Sequence, residues 1–188
     1  MSGSLLEHDS SIRMAAFEQV KKLSAIYTHI PAKEISKGFT FKGNNISLLS
    51  RPRGIFKPKE MKFLLSIKTT IPRPGRKPWY EDQIDAHKQI LEGETEHINY
   101  NFMKKGGSEA RDNQLLREAS ENQIPIIYFL GIAPGQYQAI VPAFIGGWDR
   151  NAQKVKVFFG KSNQMEMVPP ETSEERRYTL HMVKQRVH

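Results

Sequence analysis

At 188 residues with no cysteine, the chain is long enough for one domain with a sizeable core, and it excludes a disulfide scaffold, a thiol nucleophile and any cysteine-based zinc site. Its 28 Lys or Arg against 20 Asp or Glu give a formal net charge of +8, and the excess lies in one stretch. Residues 31–80 hold twelve cations, Lys33, Lys37, Lys42, Arg51, Arg53, Lys57, Lys59, Lys62, Lys68, Arg73, Arg76 and Lys77, against only Glu34 and Glu60. Because they are dispersed among Phe, Pro and Gly, they suit a folded basic face and a polyanionic partner rather than a disordered tail; the plainer alternative is a solvated basic surface. No apolar run is long enough to span a bilayer and no signal-peptide pattern follows Met1, so a soluble, intracellular protein is expected.

Residues 9–27 carry a helical pattern, with Asp9, Ser10 or Ser11 available to cap and Ala16, Val20, Leu23 and Tyr27 on one face. From Lys37 to Ser50, Phe39 and Phe41 and then Ile46 and Leu48 alternate around Gly43, Asn44 and Asn45, which predicts a hairpin. Phe63, Leu65 and Ile67 predict a strand within 62–70. The following IPRPGRKP, residues 71–78, has three prolines and must be a loop, and a basic one. An acidic stretch from Glu81 to Glu96 and a polar segment to Gly107 then predict a long loop. Asp112 is placed to cap a helix from Asn113 to Glu121, with Leu115, Leu116 and Ala119 apolar. Two apolar strands fold about Pro134 and Gly135, and Val155, Val157 and Phe159 alternate in a last strand that is the best core candidate. The order predicts an α+β domain over 9–162, a curved, barrel-like antiparallel sheet flanked by helices, with a polar linker over 163–188.

Chemistry for a metal or hydrolytic site is sparse. The histidines are scattered, no close metal-binding pair shares an element, and no metal or cofactor is expected. Glu81, Asp82 and Asp85 could hold a divalent ion, although acids beside a basic surface are more often ordinary loop charge. Gly106 and Gly107 after Lys104 and Lys105 lack the closing Lys and Ser/Thr of a phosphate-binding loop. Trp79, Tyr80, Tyr100 and Phe102 stand beside cations, where rings can stack on bases or, equally, close the core under long loops.

Four blocks, RGIFKPKEMKFLLSIKTT (53–70), PWYED (78–82), RDNQLLREA (111–119) and IPIIYFLGIAPGQYQAIVPAFI (124–145), together resemble the sulfur-binding domain of phosphorothioate-dependent HNH restriction endonucleases. RRYTLHMVKQRVH (176–188) is similar to the segment leading into the nuclease domain of such enzymes. One departure is Ala110, where many relatives have a histidine before Arg-Asp-Asn. The resemblance implies a non-catalytic recognition domain for double-stranded phosphorothioate-modified DNA, working in cis with an HNH nuclease domain in a bacterial cytoplasm, and it leaves homodimerisation open. It implies an apolar sulfur pocket from Pro134, Tyr137, Pro142, Ala143 and Tyr100, with Pro134 and Tyr137 favoured because a turn tip can reach a backbone while a mid-strand Pro142 marks an edge or bulge. Lys33, Lys37, Arg73, Arg76, Lys77, Tyr80, Arg111 and Asn113 are the expected DNA contacts, Arg111 at a helix N-terminus. The alternatives are a reader of methylated bases that flips a nucleotide into a cage of Trp79, Tyr80 and Tyr100, or an enzyme using the acids at 81, 82 and 85.

Overall fold

The computed structural model describes residues 2–70, 97–101, 111–149 and 154–159. Helix α1 (Ser2–Ile26) begins well before the expected start at residue 9 and turns Ile12, Ala16, Phe17, Val20 and Leu23 inward. Strand β1 (Ile30–Pro31) and the short helix α2 (Ala32–Ile35) follow. Strands β2 (Phe39–Phe41) and β3 (Asn44–Ile46) form a separate hairpin. Its two-residue turn is Lys42-Gly43, both at positive φ (47° and 80°), so Asn44 and Asn45 are strand residues and not the turn.

The main sheet takes β4 (Ile55–Phe56), β5 (Ser66–Lys68), β7 (Ile126–Ala133), β8 (Gln136–Asp149), β9 (Lys154–Phe159) and β6 (His97–Asn101) in that spatial order, with β1 also paired to β8. Helix α3 (Arg111–Glu121) precedes β7. The sheet is mixed, a correction to the antiparallel expectation: β5 and β7 run parallel, Ser66 opposite Ile127 and Lys68 opposite Phe129. Thr69 fixes this seam, its Oγ1 accepting from the Tyr128 hydroxyl at 3.2 Å and the Gly131 amide at 3.3 Å.

The hydrogen-bonded ladder does not close into a barrel among the described residues. The Tyr100 hydroxyl of β6 nevertheless lies 3.5 Å from the Lys68 carbonyl of β5. Four flat strand spacings would separate those strands by about 19 Å, so the sheet bends to bring them into contact.

Each face of the sheet carries a core. Ile126, Tyr128 and Leu130 of β7 pack with α3, Tyr100, Ile145, Val155, Val157 and Phe159, while Ile127 and Phe129 pack with α1, the hairpin, Leu48 and Tyr137. Burial on both faces explains why β7 reads as an unbroken apolar run. The expected period-two strand over 62–70 shortens to β5, because the Lys62 and Phe63 amides and the Leu64 carbonyl are taken by the side chains of Asp9 and Arg13 and not by a neighbouring strand. Asp9 is not a cap. It lies inside α1, bridges Arg13 at 2.8 Å, and accepts the amides of Lys62 at 2.7 Å and Phe63 at 3.0 Å. Arg13 in turn donates to the carbonyls of Leu64 at 2.7 Å and Pro125 at 2.8 Å. No helix among the described residues is long and apolar enough to cross a membrane.

Candidate nucleic-acid interface

Strand register gathers several sequence-selected residues at the end of the sheet where β5 and β7 finish. The β7–β8 connection is Pro134-Gly135, where proline sets a negative φ and glycine takes +69°, so the chain reverses tightly. Pro134, Gly135 and Gln136 are exposed. The Ala32 amide donates to the Gly135 carbonyl at 2.8 Å, and Pro31 stands opposite Gln136, so α2 begins against this turn. Lys33 on α2 is exposed, and its side chain has no partner among the described residues. Lys37 donates to both carboxylate oxygens of Glu34, at 2.9 and 2.8 Å, and that bond, with the charge behind it, raises the Lys37 pKa.

On the other side of the turn, the Tyr137 hydroxyl is 3.5 Å from the Thr70 Oγ1. Thr70 immediately precedes IPRPGRKP in the sequence. Arg73, Arg76, Lys77, Trp79 and Tyr80 themselves lie outside the described residues, as do Glu81, Asp82, Asp85, Phe102, Lys104, Lys105, Gly106, Gly107 and the segment 163–188.

A second cationic group adjoins β5. The Lys68 amide donates to the Gly54 carbonyl at 2.8 Å, and Arg53 Nη1 reaches Asp112 Oδ1 at 3.4 Å, with exposed Arg111 next in α3. Lys33, Lys37, Arg51, Arg53 and Arg111 are thus exposed at this sheet end with Glu34 and Asp112 as their neighbouring carboxylates. Other described cations of the basic stretch sit elsewhere. Lys62 adjoins the Asp9 bridge where β5 begins, its Nζ 5.3 Å from the Phe63 ring centroid. Lys42 is at the hairpin tip over Phe41, whose ring meets His8 edge-on at 5.9 Å. Lys57 is spent on the carbonyls of Pro58 and Met61. One run in sequence is therefore divided in space.

The five expected pocket residues do not share one site. Tyr137 is buried in the α1-side core, edge-on to Phe129, whereas Tyr100 and Ala143 are buried in the α3-side core. Six residues of strand separate Tyr137 from Ala143, about 20 Å. Half-buried Pro142 adjoins a register irregularity between the Ile126–Ala143 and Tyr128–Ile140 pairs, as expected for a mid-strand proline. Of the five, Pro134 is the one presented to solvent. Asn113 is also fully buried and engaged, which leaves Arg111 as the exposed member of that pair.

Sequence reasoning passed over Arg51 and Lys68 as site residues. Lys68 is half-buried and donates to the Ser50 and Arg51 carbonyls, both at 2.7 Å, with its pKa lowered by desolvation. Its place between buried Ile67 and Thr69 was the available signal, since a lysine in such a strand needs acceptors. Among the described residues no group of three or more His, Asp or Glu could hold a metal ion. No family model, curated protein or solved structure matches the chain.

Proposed function

We propose that the chain is a DNA-binding domain that recognises phosphorothioate-modified duplex DNA and directs an HNH nuclease domain to it, in a bacterial cytoplasm. The observation that carries the reading is the exposed Pro134 turn flanked by Lys33 and Lys37 on one side and by Thr70 on the other. The bend of the sheet, read as barrel-like, is the scaffold that holds this turn forward.

A phosphorothioate differs from a phosphate by one non-bridging oxygen replaced by sulfur, which is larger, more polarisable and a weaker hydrogen-bond acceptor. An apolar proline ring costs an anionic oxygen its hydration and returns no donor, while sulfur loses less hydration and gains dispersion contact. Surrounding cations hold the remaining oxygens and neighbouring phosphates by counterion release, irrespective of sulfur. Affinity and discrimination then belong to different residues. The methylated-base reading counts Tyr100 in its cage, and Tyr100 is buried.

Titration of matched duplexes with and without one phosphorothioate tests the reading; equal affinity for both would sink it. Pro134→Ser is expected to lower the thioated-over-plain preference by about fivefold, the equivalent of a contact of about 1 kcal/mol. Lys33→Ala and Arg76→Ala should instead weaken both duplexes alike.

A further inference from the structure

We propose that the Arg51–Pro52–Arg53 segment is a second contact to the DNA phosphate backbone, with Arg51 as the phosphate-binding group and Lys68 as the residue that positions it. The inference rests on the DNA-binding reading above and adds a site to it.

Three consecutive residues, Arg51, Pro52 and Arg53, are exposed at the same sheet end as the Pro134 turn. Both flanks of the segment are tied to one residue. The Lys68 ammonium holds the Ser50 and Arg51 carbonyls at 2.7 Å each, and the Lys68 amide holds the Gly54 carbonyl at 2.8 Å. Gly54 is further pinned beneath Tyr100, because a Cβ there would meet the Tyr100 hydroxyl at 2.5 Å. Proline stiffens the middle of the segment.

The two arginines then differ. Arg53 is steered by Asp112, whereas the side chain of exposed Arg51 has no partner among the described residues. Half-burying an ammonium is costly, and the lowered pKa of Lys68 reflects that cost. The ammonium turns the Ser50 and Arg51 carbonyl oxygens toward itself, away from an approaching phosphate, and adds positive charge behind Arg51. A guanidinium on a backbone already held in place loses little further freedom on binding.

The test is binding of the chain to a plain, unthioated duplex across about 0.05–0.2 M salt. Arg51→Ala should reduce the slope of log affinity against log salt by about one and weaken binding about eightfold at about 0.1 M. Lys68→Met should lower the slope in the same direction and Lys68→Arg should restore it, a pattern that lost stability alone does not produce. Lys59→Ala, exposed and outside this sheet end, is the control and should leave the slope within half a unit. A wild-type slope in Arg51→Ala, or an equal loss in Lys59→Ala, overturns the inference. Wild-type chain that binds thioated and plain duplexes equally removes the sulfur reading and leaves this contact standing; wild-type chain that binds neither removes both.

Discussion

Asp9→Ala should lower the unfolding free energy by about 3–5 kcal/mol, measured by urea denaturation. The Asp9–Arg13 pair is almost fully buried, with side chains 5 % and 4 % exposed. Removing the carboxylate leaves a desolvated guanidinium with only the carbonyls of Leu64 and Pro125, and it orphans the amides of Lys62 and Phe63. Such a loss is a large fraction of the roughly 5–15 kcal/mol that stabilises a typical domain. Asp9→Leu combined with Arg13→Met should cost much less than the sum of the single changes, because the unpaired buried charge disappears with its partner. A single-variant loss below about 1 kcal/mol would show that the pair is hydrated and contributes little.

Gly38→Ala should destabilise by about 2–5 kcal/mol, while Gly43→Ala should cost only about 1–2 kcal/mol. Both glycines have positive φ, 71° and 80°, so both substitutions carry the same conformational penalty. They differ in surroundings: a Cβ at Gly38 would drive into the Ile46 carbonyl and approach Asn45 Oδ1 at 2.8 Å, whereas nothing lies within 4 Å at Gly43. The difference between the two unfolding free energies therefore isolates the clash where α2 passes into the hairpin. Equal losses would mean that β3 shifts away freely.

The elements governed by short-range pattern were legible. Val155, Val157 and Phe159 alternate as expected and all three are fully buried. The Pro134-Gly135 reversal and the hairpin after Lys37 also follow from local turn chemistry. The hairpin turn was displaced because Lys42 tolerates φ of 47°, which residue preference alone disfavours. Strand direction was not legible: Ser66–Lys68 is too short, and Ile126–Ala133 too uniformly apolar, for a local pattern to say whether they pair parallel or antiparallel. Asp9 looked like a cap because its true partners, the amides of Lys62 and Phe63, are more than fifty residues away. For the candidate site, Pro134, Lys33 and Arg111 could be singled out by residue type, but the separation of Tyr100 and Ala143 from Tyr137 is a matter of sheet face, which no local pattern encodes across a register irregularity.

Strand β7 contributes alternate side chains to both cores. Neither layer can come apart without exposing one side of this strand, so α1 with the hairpin and α3 with the far strands should melt as one cooperative unit. The amides of Ile127 to Leu130 should accordingly exchange with solvent deuterium only through global opening, and the Pro134 end of the sheet should inherit a rigid base from that coupling.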